Sequence, residues 1–317
     1  MSEHTPDPAT LPPAPAALGE VLSRVSDILA AVGIVDAQID AEWLVGHVLE
    51  LGRGGVQAAA IVGTTLGDDE LAALAPLVRR RAAREPLQHI TGTAAFRQLS
   101  LRVGPGVFVP RPETEGVVQL AIDALRAEAS PAPIAVDLGT GSGAIALAMA
   151  TEVPNARVFA AENSPEAFSW TRRNFDEIGA TNATLVFADL ADAFAELAGT
   201  VDVVISNPPY VPDDAVPRDP EVRDHDPAAA LYGGPDGLDV VRVLSGVALR
   251  LLRPGGVLII EHGELQGRAI RELLAADGWR ASATHPDLTL RDRATTAPRS
   301  KSMPEALSPN SLARCIR

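Results

Sequence analysis

The sequence predicts an α/β chain: a mainly parallel sheet covered by helices on both faces, preceded by a small all-helical domain. Three observations carry this. Beyond residue 111 short apolar runs alternate with amphipathic helical patterns, the signature of consecutive strand–helix–strand units. Between 18 and 90 the apolar residues recur only at helical spacing. At 317 residues the chain can bury one large core and one smaller one.

Residues 1–17 are rich in Pro and Ala and carry Glu3 and Asp7. They lack the basic start and apolar stretch of a signal peptide and are expected to be a frayed tail. Leu18, Val21, Leu22 and Val25 then mark one helical face, continued by Ile28 and Leu29. A second helix is expected over 40–51, and Asp68 is expected to cap a third, through Leu71, Leu74, Leu77 and Val78. The segment 18–90 is therefore assigned as a helical domain without strands.

Residues 91–110 are assigned as a linking hairpin, with Phe96, Leu99, Leu101 and Val103 alternating before the turn Gly104-Pro105-Gly106. Pro110-Arg111-Pro112 opens a helix, with Glu113 and Glu115 at its positive end. Strands are expected near 134–138, 157–162, 183–188, 201–206, 256–261 and 293–297. Helices are expected near 113–128, 143–152, 165–178, 237–252 and 264–277, so that 111–298 forms the sheet domain. Residues 299–317 are polar and aperiodic and read as a second tail.

Composition narrows the function. A hydrophobic fraction of 46% with 21% charged residues is that of a globular chain. Lys+Arg number 27 against 41 Asp+Glu, a net charge of -14, which disfavours a grip on nucleic acid and leaves room for a basic protein partner. Cys315 is the only cysteine, so neither a disulfide framework nor a cysteine metal site is possible, as fits a reducing cytosol. No apolar run of about 18 residues marks a membrane span. The six histidines show no metal-ligand spacing, and no metal is expected. His47 and His89 read as ordinary residues of the helical domain. His225 lies in the acidic run 213–226, which reads as a solvated face, with a cover over the site as the alternative.

The chemistry is concentrated at strand ends. Between the strand at 134–138 and the next helix lies Gly139-Thr140-Gly141-Ser142-Gly143, where glycines let the backbone approach a ligand and turn into a helix N-terminus. Asp137 precedes this loop and Glu162 ends the next strand, where an acidic side chain meets ribose hydroxyls in doubly wound folds. A plain tight turn is the alternative, and the spacing Gly-x-Gly-x-Gly differs from the dinucleotide fingerprint. Asp189 follows the third strand, placed either to accept from the exocyclic amine of a bound base, with Leu190 packing on the ring, or to cap the segment beginning at Ala191.

The discriminating element is Asn207-Pro208-Pro209-Tyr210 at the end of 201–206. A planar amide or aryl amine is a poor nucleophile because its lone pair is delocalised. The Asn207 side-chain oxygen and the Pro208 carbonyl can bind both of its N–H groups, hold the nitrogen in line, and favour the more pyramidal transition state. Pro208 and Pro209 stiffen the loop, and Tyr210 can stack on the planar group. A Pro-rich loop with a buried Tyr is the alternative. Taken with the glycine loop, the pattern implies methyl transfer to an sp2 nitrogen.

The set Asp137-Leu-Gly-Thr-Gly-Ser-Gly143, Glu162, Asp189 and Asn207-Pro-Pro-Tyr210 resembles class I S-adenosylmethionine-dependent methyltransferases. The segments 84–92, 108–115, 226–238 and 261–263 further resemble the PrmC/HemK family of release factor glutamine N5-methyltransferases. The likeness runs from about 18 to 298. It implies a seven-stranded, Rossmann-like methyltransferase sheet, with S-adenosylmethionine as cofactor and S-adenosylhomocysteine as product. The substrate implied is the glutamine of the Gly-Gly-Gln motif in class 1 peptide-chain release factors, held partly by the helical domain. Asp137, Gly139 to Gly143, Glu162, Asp189, Leu190 and Asn207 would contact the cofactor, and Asn207 to Tyr210 the acceptor. No strong general base is evident, so proton loss is expected after transfer. A cytosolic monomer that binds neither nucleic acid nor membrane is expected. The rivals are glutamine methylation of a ribosomal protein, amino-methylation of DNA or RNA and, in a different class, cofactor binding without catalysis, against which intact Asn207 and Tyr210 argue. The sequence departs at Leu290, where the family commonly has glycine.

Overall fold

The computed structural model describes residues 10–301. The chain divides into two compact units, Met1–Thr93 with Pro217–His225, and Ala94–Val216 with Asp226–Arg317.

The helical unit contains β1 (Ala16–Ala17), α1 (Leu18–Ala31), α2 (Ala37–Leu49), α3 (Arg53–Ile61), β2 (Thr65–Leu66), α4 (Asp68–Ala82) and α5 (Leu87–Thr91). Its core joins Leu18, Val21, Val25 and Leu29 of α1 to Leu44 and Val45 of α2 and Leu74 and Val78 of α4. The apolar stripes set this packing. Three expectations are corrected. β1 pairs antiparallel with β2, so the unit is not strand-free. Residues 10–17 are not frayed: Leu11 and Ala14 pack on the core, and Arg24 Nε donates to the Thr10 carbonyl at 3.0 Å. Residues 1–9 lie outside the described residues. Asp68 is the first helical residue of α4, not its cap; the cap is Gly67, whose N–H donates to Glu70 Oε2 at 2.6 Å.

The hairpin β3 (Thr93–Phe96) and β4 (Leu99–Arg102) precedes α6 (Pro112–Ala127). Then come β5 (Ile134–Leu138), α7 (Ala144–Glu152), β6 (Arg157–Glu162), α8 (Pro165–Ile178), β7 (Ala183–Phe187), β8 (Val201–Ser206), α9 (Pro220–His225), α10 (Ala228–Leu231), α11 (Asp239–Leu251), β9 (Leu252–Glu261), α12 (Gly267–Ala276), β10 (Ala283–Pro286) and β11 (Asp292–Pro298). Seven strands form one sheet in the order β10-β11-β9-β8-β5-β6-β7. Strands β5 to β9 are mutually parallel, and β11 and β10 add antiparallel.

Alternation along the strands makes two cores. Ala135, Val158, Val203 and Ile259 meet α6 and α7 on one face, while Val136, Leu138, Val204 and Leu258 meet α11 and α12 on the other. Because β6 follows β5 on one side and β8 lies on the other, the strand order reverses at β5. That reversal opens a crevice at the carboxyl ends.

The segment α9 belongs with the helical unit. Glu221 accepts from Arg81 Nη1 and from Arg84 Nη2, both at 2.7 Å, so the acidic run is not only a solvated face. Residues 302–317, most of the expected second tail and Cys315 with it, lie outside the described residues.

Candidate active site

The four strands β8, β5, β6 and β7 lie side by side and parallel, so their carboxyl ends form one edge. That edge carries every residue singled out from the sequence: Asn207 after β8, the glycine loop after β5, Glu162 at the end of β6, and Asp189 after β7. Ser206 Oγ donates to the Leu138 carbonyl at 2.6 Å, tying the clamp strand to the strand that leads into the glycine loop.

The loop after β5 is built for close approach. Gly139, Gly141 and Gly143 have φ of +71°, +58° and +84°, a region that disfavours side chains. A Cβ at Gly139 or Gly141 would meet nothing within 4 Å, whereas one at Gly143 would lie 3.1 Å from Phe175 and Thr171 of α8. The first two therefore leave room for a ligand, and the third lets helix and loop pack. Asn174 Nδ2 donates to the Ser142 carbonyl at 2.8 Å, and Thr171 Oγ1 donates to the Gly141 carbonyl.

Asp137 is fully buried beneath this loop. Its Oδ2 accepts from Thr140 Oγ1 at 2.5 Å and from the Ala146 N–H at 3.1 Å, while buried Oδ1 has no hydrogen-bond partner. Burial pushes its carboxyl up to about 7, against these two bonds.

Glu162 has a second task that its position in sequence did not disclose. Oε2 accepts from the Gly141 N–H at 2.8 Å, and Oε1 from the N–H groups of Asn163 and Ser164 at 3.0 and 2.8 Å. Three of about four acceptor positions are thus committed to holding the cradle in shape. Asp189 is exposed and caps locally, Oδ1 accepting from Ala191 N–H at 2.9 Å; its Oδ2 accepts from Asn163 Nδ2 at 3.0 Å, linking it to the residue after Glu162. The cap is present, and it places Asp189 and half-buried Leu190 on the same edge.

The clamp contrasts with Glu162. Asn207 is half-buried, and neither its side chain nor the Pro208 carbonyl hydrogen-bonds to another described residue. Behind these two free acceptors the loop is tightly held. Val211 N–H donates to the Leu231 carbonyl at 2.8 Å, Gly233 N–H to the Val211 carbonyl at 2.9 Å, and Gln266 Nε2 to the Tyr210 carbonyl at 2.9 Å. A side chain at Gly233 would collide with the Pro209 carbonyl, and one at Gly237 with the Tyr210 carbonyl. These glycines form a collar around the clamp. The segment 231–238 pointed to them, but only by likeness.

Charge gathers around Tyr210. Its hydroxyl is pushed up to about 12 by burial and by Glu261, against Arg293 and Arg111. Glu261, at the end of β9, is 2% exposed and pushed up to about 7 by burial; Thr114 and Arg293 pull the other way, and Glu113 adds. Arg111 stacks on Phe108 at 4.9 Å and its Nη2 donates to Asp226 Oδ2 at 2.5 Å. Sequence reasoning gave Glu261, Arg111 and Gln266 no chemical role; the first two lay in family-like segments, and Gln266 carried no signal. Among the described residues no group of three or more His, Cys, Asp or Glu is placed to hold a metal, and no helix is long and apolar enough to cross a membrane.

Comparison with known proteins agrees in both units. Residues 20–92 match the PrmC N-terminal domain, and residues 98–219 the methyltransferase small domain. The chain is 48% identical over 282 residues to a release factor glutamine methyltransferase of Streptomyces coelicolor, covering 88% of this chain and 97% of that protein. It is 46% identical over 285 residues to a release factor glutamine methyltransferase of Bifidobacterium longum, covering 86% and 97%. It is also 38% identical over 288 residues to a 4-amino-L-phenylalanine/4-methylamino-L-phenylalanine methyltransferase of Streptomyces pristinaespiralis, covering 89% and 95%.

Proposed function

This chain belongs to the release factor glutamine methyltransferase family, and from that premise we propose that it methylates the side-chain N5 of the Gly-Gly-Gln glutamine in class 1 release factors, in the cytoplasm. The observation that carries the proposal is the pair of free acceptors, the Asn207 side-chain oxygen and the Pro208 carbonyl, beside the glycine cradle.

S-adenosylmethionine is the cofactor; when bound, it supplies an electrophilic methyl group on a sulfonium and leaves as S-adenosylhomocysteine. The cradle at Gly139, Thr140, Gly141, Ser142 and Gly143 would hold it from the β5 side. Glu162 would meet the ribose with its remaining acceptor position, Asp137 would brace the cradle from beneath through Thr140 and the Ala146 N–H, and Asp189 and Leu190 would meet the base. Asn207 and Pro208 would each accept one N–H of the glutamine amide. This fixes the nitrogen's direction and stabilises its pyramidal, partly positive form, in which the lone pair makes the new N–C bond. Tyr210 would stack on the amide plane, and the cationic methylated nitrogen would then lose one proton to solvent. Pro208 and Pro209 would keep the two acceptors from following the substrate as it moves.

Methyl transfer from labelled S-adenosylmethionine to a purified release factor tests this. A factor bearing Gly-Gly-Gln should be labelled and one bearing Gly-Gly-Ala should not. Equal labelling of both, or preferential labelling of DNA, a ribosomal protein or free 4-amino-phenylalanine, would overturn the substrate assignment.

A further inference from the structure

We infer that Gln266 is a positioning residue of the clamp: its amide bridges the turn after β9 to the Tyr210 backbone and thereby fixes where the Asn207 and Pro208 acceptors point. The inference rests on the reading above and deepens it.

The geometry is two-ended. Gln266 Oε1 accepts from the Gly263 N–H at 2.9 Å, and Nε2 donates to the Tyr210 carbonyl at 2.9 Å. Only a side chain with an acceptor and a donor at the same reach can do both. The turn itself is closed by the Gln266 N–H donating to the Gly263 carbonyl at 3.0 Å, so the bridge is anchored before it reaches out. Its base is also in register with the clamp. Ser206 of β8 pairs with Ile260 of β9, so Glu261 begins the turn level with Asn207.

The Tyr210 carbonyl has little freedom to leave. Gly237 lies against it so closely that a Cβ there would collide with it and come within 2.8 Å of Gln266 Nε2. A Cβ at Gly263 would sit 3.7 Å from the Tyr210 ring. Between Tyr210 and Asn207 stand Pro208 and Pro209, whose rings fix φ at two of the intervening positions. A stiff segment held at one end transmits that hold to the other. Neither acceptor of the clamp has a hydrogen-bond partner of its own among the described residues, which leaves the backbone behind them to set their orientation.

Three variants separate the parts of the bridge. Gln266→Met keeps the shape without donor or acceptor; Gln266→Glu keeps the acceptor toward Gly263 and loses the donor to Tyr210; Leu265→Ala alters an exposed neighbour as a control. Single-turnover transfer at saturating cofactor should fall about 10- to 100-fold in the first two, as expected for a misplaced acceptor. Cofactor affinity should stay within about twofold, because the cradle lies on the other strands. A second readout needs no substrate. The chain has two tyrosines, Tyr210 and Tyr232, so fluorotyrosine labelling gives two fluorine NMR lines, assigned with Tyr232→Phe. The Tyr210 line should shift or broaden in both Gln266 variants and not in Leu265→Ala. An unmoved Tyr210 line, a wild-type rate, or a rate loss matched by an equal loss of cofactor affinity would each overturn the inference. Failure of the wild-type chain to methylate any release factor would overturn the substrate reading instead, and the Tyr210 line would still decide the role of Gln266.

Discussion

Asn207 and Glu162 are both acceptors at strand ends, yet the fold uses them in opposite ways. Glu162 is nearly saturated by backbone N–H groups, and Asn207 accepts from none among the described residues. Truncating Glu162 therefore unpicks the cradle, and on the proposed reading removes a ribose contact as well. On the proposed reading, truncating Asn207 removes a contact made chiefly to the bound substrate. Asn207→Ala should lower single-turnover methyl transfer on the order of 100-fold or more, by analogy with loss of one preorganised hydrogen-bonding group. Its melting temperature should move little, since no bond to another described residue is lost, and its cofactor affinity far less than the rate, since the cradle lies on β5 and β6. A near-normal rate in that variant would mean that the acceptor amide is held elsewhere. This asymmetry was invisible in sequence. The identities and order of Asp137, Glu162, Asp189 and Asn207 were legible, because strand ends in a doubly wound sheet converge on one edge. What else each side chain touches depends on loops folded back from far along the chain. Gln266 reaching the Tyr210 carbonyl, and Gly233 beside the Pro209 carbonyl, are cases of that kind.

At the scale of elements, long periodic segments were legible and short ones were not. The strands β5, β6, β7 and β8 fall within a residue of the positions expected from their apolar runs. The helix α3 was missed because Gly54 and Gly55 weaken its propensity, and tertiary packing of Val56 supplies what propensity withholds. β1 and β2 are two residues each, too short for any period to show. β9 starts at Leu252, earlier than expected, because Pro254 and Gly255 sit inside its extended run and read as a turn. The hairpin joining β10 to β11 explains one departure from the family pattern. Leu290 has φ +64° and is almost fully exposed, so it bears the cost of a left-handed conformation without burying its side chain. Asp287 holds this turn, with Oδ1 accepting from the Thr289 N–H at 2.8 Å and from its hydroxyl at 2.6 Å. Leu290→Gly should stabilise the protein by about 0.5–1 kcal/mol, the strain relieved less the added entropy of the unfolded chain. Thermal unfolding checks this, and a lower melting temperature would show that the Leu290 conformation carries no strain.

Over the whole molecule, the buried carboxyls set how stability responds to pH. Asp137 and Glu261 are both raised to about 7 by burial, from unfolded values of 3.8 and 4.5. For a carboxyl raised on folding, the stabilising contribution is fully present below the unfolded value. It is lost as pH rises toward the folded value and constant beyond it. Stability should therefore climb as pH falls from about 8 to about 5. Relief of repulsion in a chain of net charge -14 adds to this climb. Buried His262 opposes it, because burial lowers its affinity for the proton that the unfolded chain takes up. Carboxylates whose partners lower them, such as Asp287 at about 2 through Thr289, turn the curve over only below about pH 4. Glu261→Gln isolates one contribution. It leaves Asp137, His262 and nearly all of the net charge in place, and it removes the titrating group that faces Thr114 and Glu113 of α6, Arg293 of β11 and the Tyr210 ring. Relative to wild type, this variant should gain stability as pH rises from about 4.5 to 7 and hold a constant difference above. Melting temperatures measured across that range decide it: two parallel curves would mean that Glu261 ionises in the folded protein as readily as in the unfolded chain.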